Sequence, residues 1–394
     1  NIIDIGVKNN DGPYIWRMGG LLLLLGVVGL VGGAYCYPHQ NLVGSLLLPD
    51  RTFSPMENRN LAKPPKLSWE NVESGKFMSD AESYVNDQIM GRDFWVAMKA
   101  WSERLSGKQE NNGIYFAKDG TLIRHLDTPS QETLAQNAGY INQLVENVSV
   151  PVYFGLIPSA AEVWADRLPA GAPTADEQAI IEEMYSAVQA QTVDLCTPLN
   201  AHRDEDLYYR TDHHWTSLGA YYGYTALMDA MGLEAEPLDQ SGKTTVSDSF
   251  YGTLFSRSGV RWVAPDQIDR YISGDGVEVT SYPEGSPVEG SLYVDRFLQE
   301  KDQYSSFLGG NQPLCVIRTE HTDAPRVLVI RDSYTDSLAP FLTQNFSEIH
   351  LFDPRMNLTS VKGYVEENQI DSVVVLYSIA NFTAEGNQMF VLGW

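Results

Sequence analysis

The chain has 394 residues, 43% of them apolar and 11% aromatic, enough for one large or two ordinary domains with a substantial core. Its 51 acidic residues against 27 basic ones give a formal charge of −24, which opposes binding to nucleic acid or to anionic lipid surfaces. The cysteines Cys36, Cys196 and Cys315 match no disulfide framework and no Cys/His zinc spacing. An oxidising compartment would permit a Cys196–Cys315 bond, which spacing alone does not establish.

The segment from Met18 to Tyr37 carries no charge and includes the leucine run Leu21 to Leu25. At ~1.5 Å per residue it can cross a ~30 Å hydrocarbon layer. Lys8 and Arg17 precede it, although Asp4 and Asp11 offset part of their charge. This predicts a cytoplasmic tail over 1–17, a single-pass anchor over 18–37 and an extracytoplasmic remainder at the cell membrane. Gly32, Gly33 and Ala34 leave cleavage as a signal peptide open, but the span is long for one. Residues 38–75 read as an extended arm, because Pro64-Pro65 demands extended backbone.

Apolar positions such as Phe77, Tyr84, Ile89, Phe94 and Met98 suit one or two amphipathic helices between 76 and 105. Asn112 to Gly120 reads as a hairpin, since Asp119-Gly120 favours the turn with positive φ. A helix over 129–147, a core strand over 152–157 and a helix over 174–192 follow. Thr216 to Met231 reads as a helix with Leu218, Tyr222 and Leu227 on its apolar face. Residues 235–325, rich in Gly, Ser, Tyr and charge, predict an inserted β- or loop-rich wall or lid. The tail alternates strands at 327–330, 349–352 and 372–377 with helical segments. This is the grammar of an α/β protein with a parallel sheet covered on both faces.

The stretch Tyr209-Arg210-Thr211-Asp212-His213-His214-Trp215 concentrates the chemistry. In an extended segment residues i and i+2 share a face, so Asp212 can orient the His214 ring and leave its far nitrogen as a base. Ser333 follows the apolar strand ending at Ile330 and precedes a helical segment, where an α/β sheet exposes a reactive hydroxyl. A serine there can also be a mere helix cap; its combination with Asp212-x-His214 favours a nucleophile. The competing reading of Asp212, His213 and His214 as metal ligands is disfavoured, since adjacent strand residues face opposite ways. No metal and no cofactor is expected.

Thr211-Asp212-His213-His214-Trp215 also resembles the signature of the DHHW proteins, which are similar to the SGNH hydrolase-like alginate O-acetyltransferase domains. The resemblance implies a catalytic set of Asp212, His214 and Ser333, with Arg331 standing where the serine block usually has Gly. Glu57-Asn58-Arg59 resembles a block recurring in these proteins, and an arginine there would dock the arm. The relatives' strand order implies an oxyanion or substrate-binding role for Asn381 and Arg355. It also implies a three-layer, circularly permuted α/β/α SGNH-like catalytic domain over 76–394. The expected activity is O-acetyl transfer to a cell-surface or exported polysaccharide, supplied across the bilayer by a membrane-bound O-acyltransferase partner. A carbohydrate esterase with the same triad, or a non-catalytic polysaccharide-binding protein, are the alternatives.

Overall fold

The structure is a computed structural model describing residues 51–54, 56–57, 59–384 and 388–393. The anchor expected over 18–37 and the tail before it lie outside the described residues. Among the described residues no helix is long and apolar enough to cross a membrane. The chain forms two units, Asn1–Ser54 with Arg59–Val96, and Pro55–Asn58 with Ala97–Trp394.

In the first unit, helix α1 spans Lys76–Gln88 and Arg59 of the arm reaches it. The Arg59 guanidinium donates to both carboxylate oxygens of Asp87, with the Nη1 bond at 2.8 Å, and Ala62 N adds a bond of 2.8 Å. The hydrogen-bonded Arg59 holds the Asp87 carboxyl below its ordinary range despite partial burial. An arginine does fasten the arm, but to a helix of its own unit. Because that unit runs to Val96, α1 belongs with the arm and not with the sheet-bearing unit.

In the second unit, β1 (Ile114–Phe116) and β2 (Leu122–Arg124) pair antiparallel. Asp119-Gly120 adopts φ of 57° and 69°, the left-handed turn expected of it, and Asn112-Gly113 adopts 53° and 77°. Then come α2 (Gln131–Asn147), β3 (Val152–Ile157), α3 (Glu177–Ala187), β4 (Gln191–Thr192) and α4 (Ser217–Met231). A separate hairpin joins β5 (Thr244–Phe250) to β6 (Asp266–Arg270). The remainder is β7 (Glu278–Ser281), β8 (Val288–Gly290), β9 (Leu314–Arg318), β10 (Arg326–Arg331), α5 (Thr335–Leu342), β11 (Glu348–Phe352), α6 (Val361–Glu367) and β12 (Ser372–Ser378).

Eight strands form one sheet in the order β8-β7-β9-β11-β10-β12-β3-β4. The five from β11 to β4 are parallel, whereas β8, β7 and β9 add on antiparallel. The sheet is therefore mixed. Its antiparallel wing comes from 235–325, the segment expected to be β- or loop-rich. Strand β10 is central, and its alternation splits the interior in two. Val327 and Val329 pack with Leu227 of α4 and Leu338 of α5 on one face. Leu328 and Ile330 pack with Ile141 of α2 and Met184 of α3 on the other. This period of two is what a strand buried on both faces requires. Cys196 and Cys315 are free thiols, both with pKa raised by burial.

Candidate active site

The site begins where β10 stops. Arg331 is its last residue and α5 opens at Thr335, so Asp332-Ser333-Tyr334 forms the turn at the carboxyl edge of the parallel strands. Buried Asp332 braces that turn. It accepts from Tyr334 N at 3.1 Å, Ser378 N at 3.0 Å, Ser378 Oγ at 2.6 Å and Asn381 Nδ2 at 2.8 Å. Arg331 is fully buried and ion-pairs at 2.8 Å with Asp336, whose carboxyl pKa burial pushes up to about 6. The departure from Gly is thus answered one turn later by a carboxylate.

The Asp-His segment is a bend, not an extended strand. Tyr208 and Trp215 bridge antiparallel across it. Inside the bend His214 N donates to Asp212 Oδ1 at 3.1 Å, and His214 Nδ1–H meets the same oxygen at 2.6 Å. The contact expected from i, i+2 alternation is present, but a turn makes it. With Nδ1 committed to the carboxylate, His214 Nε2 is left to accept, and Ser333 Oγ lies 2.8 Å away. Asp212, His214 and Ser333 therefore form one continuous hydrogen-bonded chain.

Asp212 Oδ2 accepts from Thr253 N at 2.7 Å and Thr253 Oγ1 at 2.9 Å. Burial alone would raise the Asp212 pKa; the neighbouring imidazoles and these bonds outweigh it and hold the carboxyl well below the usual range. Because the Thr253 hydroxyl donates to Asp212, it accepts from His213 Nδ1–H at 2.8 Å. The His213 and His214 rings lie 3.9 Å apart, inclined by 37°, and do not face opposite ways. Burial and the adjacent His214 push the His213 pKa down to about 4, so it is neutral at neutral pH.

Asp212, His213 and His214 offer ligand atoms within 4.8 Å of one another. Asp212 Oδ1 and Oδ2, His213 Nδ1 and both His214 ring nitrogens already hold hydrogen bonds, so a cation bound through any of these atoms would compete with them.

Sequence reasoning missed several supports. The Tyr304 ring stacks on His214 at 3.8 Å and 8°, while its hydroxyl donates to Ser333 O at 2.9 Å. One buried side chain thus fixes both the imidazole plane and the serine backbone. Asp266 accepts from Arg210 N at 2.9 Å and Thr211 N at 2.8 Å, anchoring the bend. Trp215, fully buried as the floor of the site, donates from Nε1 to Tyr334 O at 2.9 Å. A Cβ on Gly223 of α4 would approach its indole to 2.6 Å, so the helix backbone packs directly on that floor. Tyr304, Thr253 and Asp266 come from 235–325 and carry no local motif; only the tertiary pairing reveals them.

A cleft is walled by Asp212, His213, Tyr334, Asn381, Arg124 and Glu177 among others. Asn381 reaches this wall, with its amide on Asp332. Arg355 does not line it; Nε and Nη2 of Arg355 bind the Asp353 carboxylate at 2.8 Å and 2.6 Å past the end of β11.

Glu177 is buried and accepts from Ser159 N at 2.8 Å and Ser159 Oγ at 2.6 Å. Burial raises its pKa from 4.5 to about 7. Between those values the folded chain keeps a proton that the unfolded chain releases, so stability falls as pH rises through this window. Glu177→Gln retains an acceptor and a donor for Ser159 but has no proton to lose. It should exceed the wild type in Tm at about pH 8 and show little difference near pH 5, an effect of up to about 3 kcal/mol. Thermal melts at both pH values check this; a constant difference would mean that Glu177 ionises normally.

An α/β sheet whose carboxyl edge brings Ser, His and Asp into one hydrogen-bonded chain defines the class of protein. The chain belongs to the DHHW protein family, whose signature matches residues 130–352. Its fold is similar to that of a DHHW family protein from Eubacterium siraeum, at 25% identity and a TM-score of 0.63, over 71% of this chain and 95% of that one. It is also similar to Bacillus cereus PatB1 with a sulfonyl adduct, at 22% identity and a TM-score of 0.60, over 70% and 97% of the two chains. A weaker likeness, with a TM-score of 0.42 at 15% identity over 69% and 93%, is to the O-acetyltransferase domain of Pseudomonas putida AlgJ. No curated protein matches.

Proposed function

We propose that this protein is an extracytoplasmic O-acyltransferase, acetyl by preference, that modifies a polysaccharide through an acyl-Ser333 intermediate. The observation that carries this reading is the hydrogen-bonded chain from Asp212 through His214 to Ser333. As Ser333 Oγ attacks the donor carbonyl, its proton passes to His214 Nε2. His214 returns that proton to the leaving group, and the acyl group stays on Ser333. In the second half, His214 takes the proton of an acceptor hydroxyl, which attacks the acyl carbon; the bond to Ser333 Oγ breaks and His214 returns the proton to that oxygen.

Asp212 holds the imidazole in place and stabilises its cationic form throughout. The amino end of α5 and the second amide hydrogen of Asn381 serve the oxyanion. The Asp-His segment precedes the serine in the chain, which we read as a circularly permuted SGNH arrangement. The expected anchor over 18–37 would hold the enzyme at the cell membrane, where a membrane-bound O-acyltransferase partner could load it.

The test is covalent labelling. Ser333 should be modified by a fluorophosphonate and by a sulfonyl fluoride, the adduct class carried by the PatB1 structure, and Ser333→Ala should lose the label while keeping its fold. Mass mapping locates the adduct, and equal labelling of both proteins would sink the nucleophile assignment. Supplying a labelled acyl donor together with an oligosaccharide then separates transfer from hydrolysis. Acyl sugar as the main product supports transfer, whereas free carboxylate alone would make the protein an esterase.

A further inference from the structure

The cleft lined by Asp212, His213, Tyr334 and Asn381 carries a positive charge with no ion-pair partner among the described residues. Strand β2 buries Leu122 and Ile123 and ends at exposed Arg124. It is tied to the Asp-His bend by a bond from Leu122 N to Arg210 O at 2.8 Å. Arg124 therefore lines the cleft with His213 and Asn381. Its positive charge is felt by both His213 and Tyr334. Among the described residues, the Arg124 guanidinium makes no ion pair or hydrogen bond, and it is the only lysine or arginine among those lining the cleft. The two carboxylates lining it are occupied elsewhere, Asp212 with His214 and Thr253, Glu177 with Ser159.

Arg124 brings a positive charge to this cleft in a chain with 51 acidic and 27 basic residues. Building on the acyl-transfer reading, we propose that Arg124 recognises the acceptor, and that the acceptor polysaccharide carries an anionic group, carboxylate or phosphate, close to the hydroxyl that is acylated. The planar guanidinium fork suits both groups, binding two oxygens at once. The acidic remainder of the protein repels a polyanion, so a local cation would favour the register that brings its charge to Arg124. A neutral glycan would gain nothing from it.

The test uses the full chain in detergent and equilibrium titration with a short oligogalacturonate, its carboxyl-reduced counterpart and a glycerol-phosphate oligomer. The wild type should bind one or both anionic probes more tightly than the neutral one. Which probe is preferred identifies the source of the charge. Arg124→Gln should cut that preference by about tenfold or more, the loss of a charge-assisted pair, and Arg124→Lys should keep part of it. No preference in the wild type, or an undiminished one in Arg124→Gln, overturns the proposal. Sulfonyl labelling of Ser333 is read in parallel. Absent labelling with the Arg124-dependent preference intact fails the acyl-transfer reading alone. Retained labelling without that preference fails this inference alone.

Discussion

His214→Ala should slow acyl-enzyme formation by about 10⁴-fold or more, while His213→Ala should cost on the order of tenfold. The two histidines are neighbours in sequence and their rings touch, yet they do different work. His214 Nε2 faces Ser333 Oγ at 2.8 Å and is the group positioned to take its proton. His213 instead donates to Thr253 Oγ1 at 2.8 Å, and Thr253 donates to Asp212. Losing His213 removes one support of the carboxylate, worth about as much as an ordinary hydrogen bond. Single-turnover acylation by an activated ester measures both variants. A reversed ranking would mean that the base had been assigned to the wrong ring.

Gly252→Ala should reduce acylation by about 10²-fold without unfolding the protein. Gly252 is not in the left-handed region; its constraint is proximity. A Cβ at this position would collide with the Cβ and Oδ2 of Asp212. The carboxylate must then shift, which misaligns His214 against Ser333, and a displacement of about 1 Å is enough for a loss of this size. The bend keeps its anchor at Asp266 through Arg210 N and Thr211 N, so the fold should survive. Labelling rates and thermal melts on the same sample separate the two effects. Full-rate labelling would show that the backbone yields or that the Asp212 position is unimportant.

The parts of the fold legible in the sequence are those set by local physics. Val327 to Ile330 and Ser372 to Tyr377 are apolar runs of strand length, and both form parallel strands. Asp212, His214 and Ser333 were recognisable because strand, turn and helix grammar surrounds them. The segment 235–325 hid its role because its contributions are long-range. Tyr304 stacks on a ring ninety positions earlier in the chain, and Thr253 reaches a carboxylate on another loop. Neither has a local signature. Because these residues brace His214 and Asp212, removing 235–325 would dismantle the site as well as its rim. The strand assumption for Asp212-x-His214 joined two residues that do hydrogen-bond, but through a bend, since a two-residue spacing also suits a side chain that caps its own turn.

Strand β3, residues 152–157, completes the sheet only by pairing with β12, residues 372–378, near the other end of the second unit. During synthesis, Val152-Tyr-Phe-Gly-Leu-Ile157 emerges long before its partner exists. Through that interval it is an unprotected sticky edge, every residue of which is buried in the finished protein. Such a topology delays closure of the sheet and favours shielding of the nascent chain until its final strands are made. A product ending before residue 372 would lack the neighbour of β3 and also the strand beside β10, the one that carries Ser333 at its end. The reactivity proposed for Ser333 therefore cannot precede synthesis of β12.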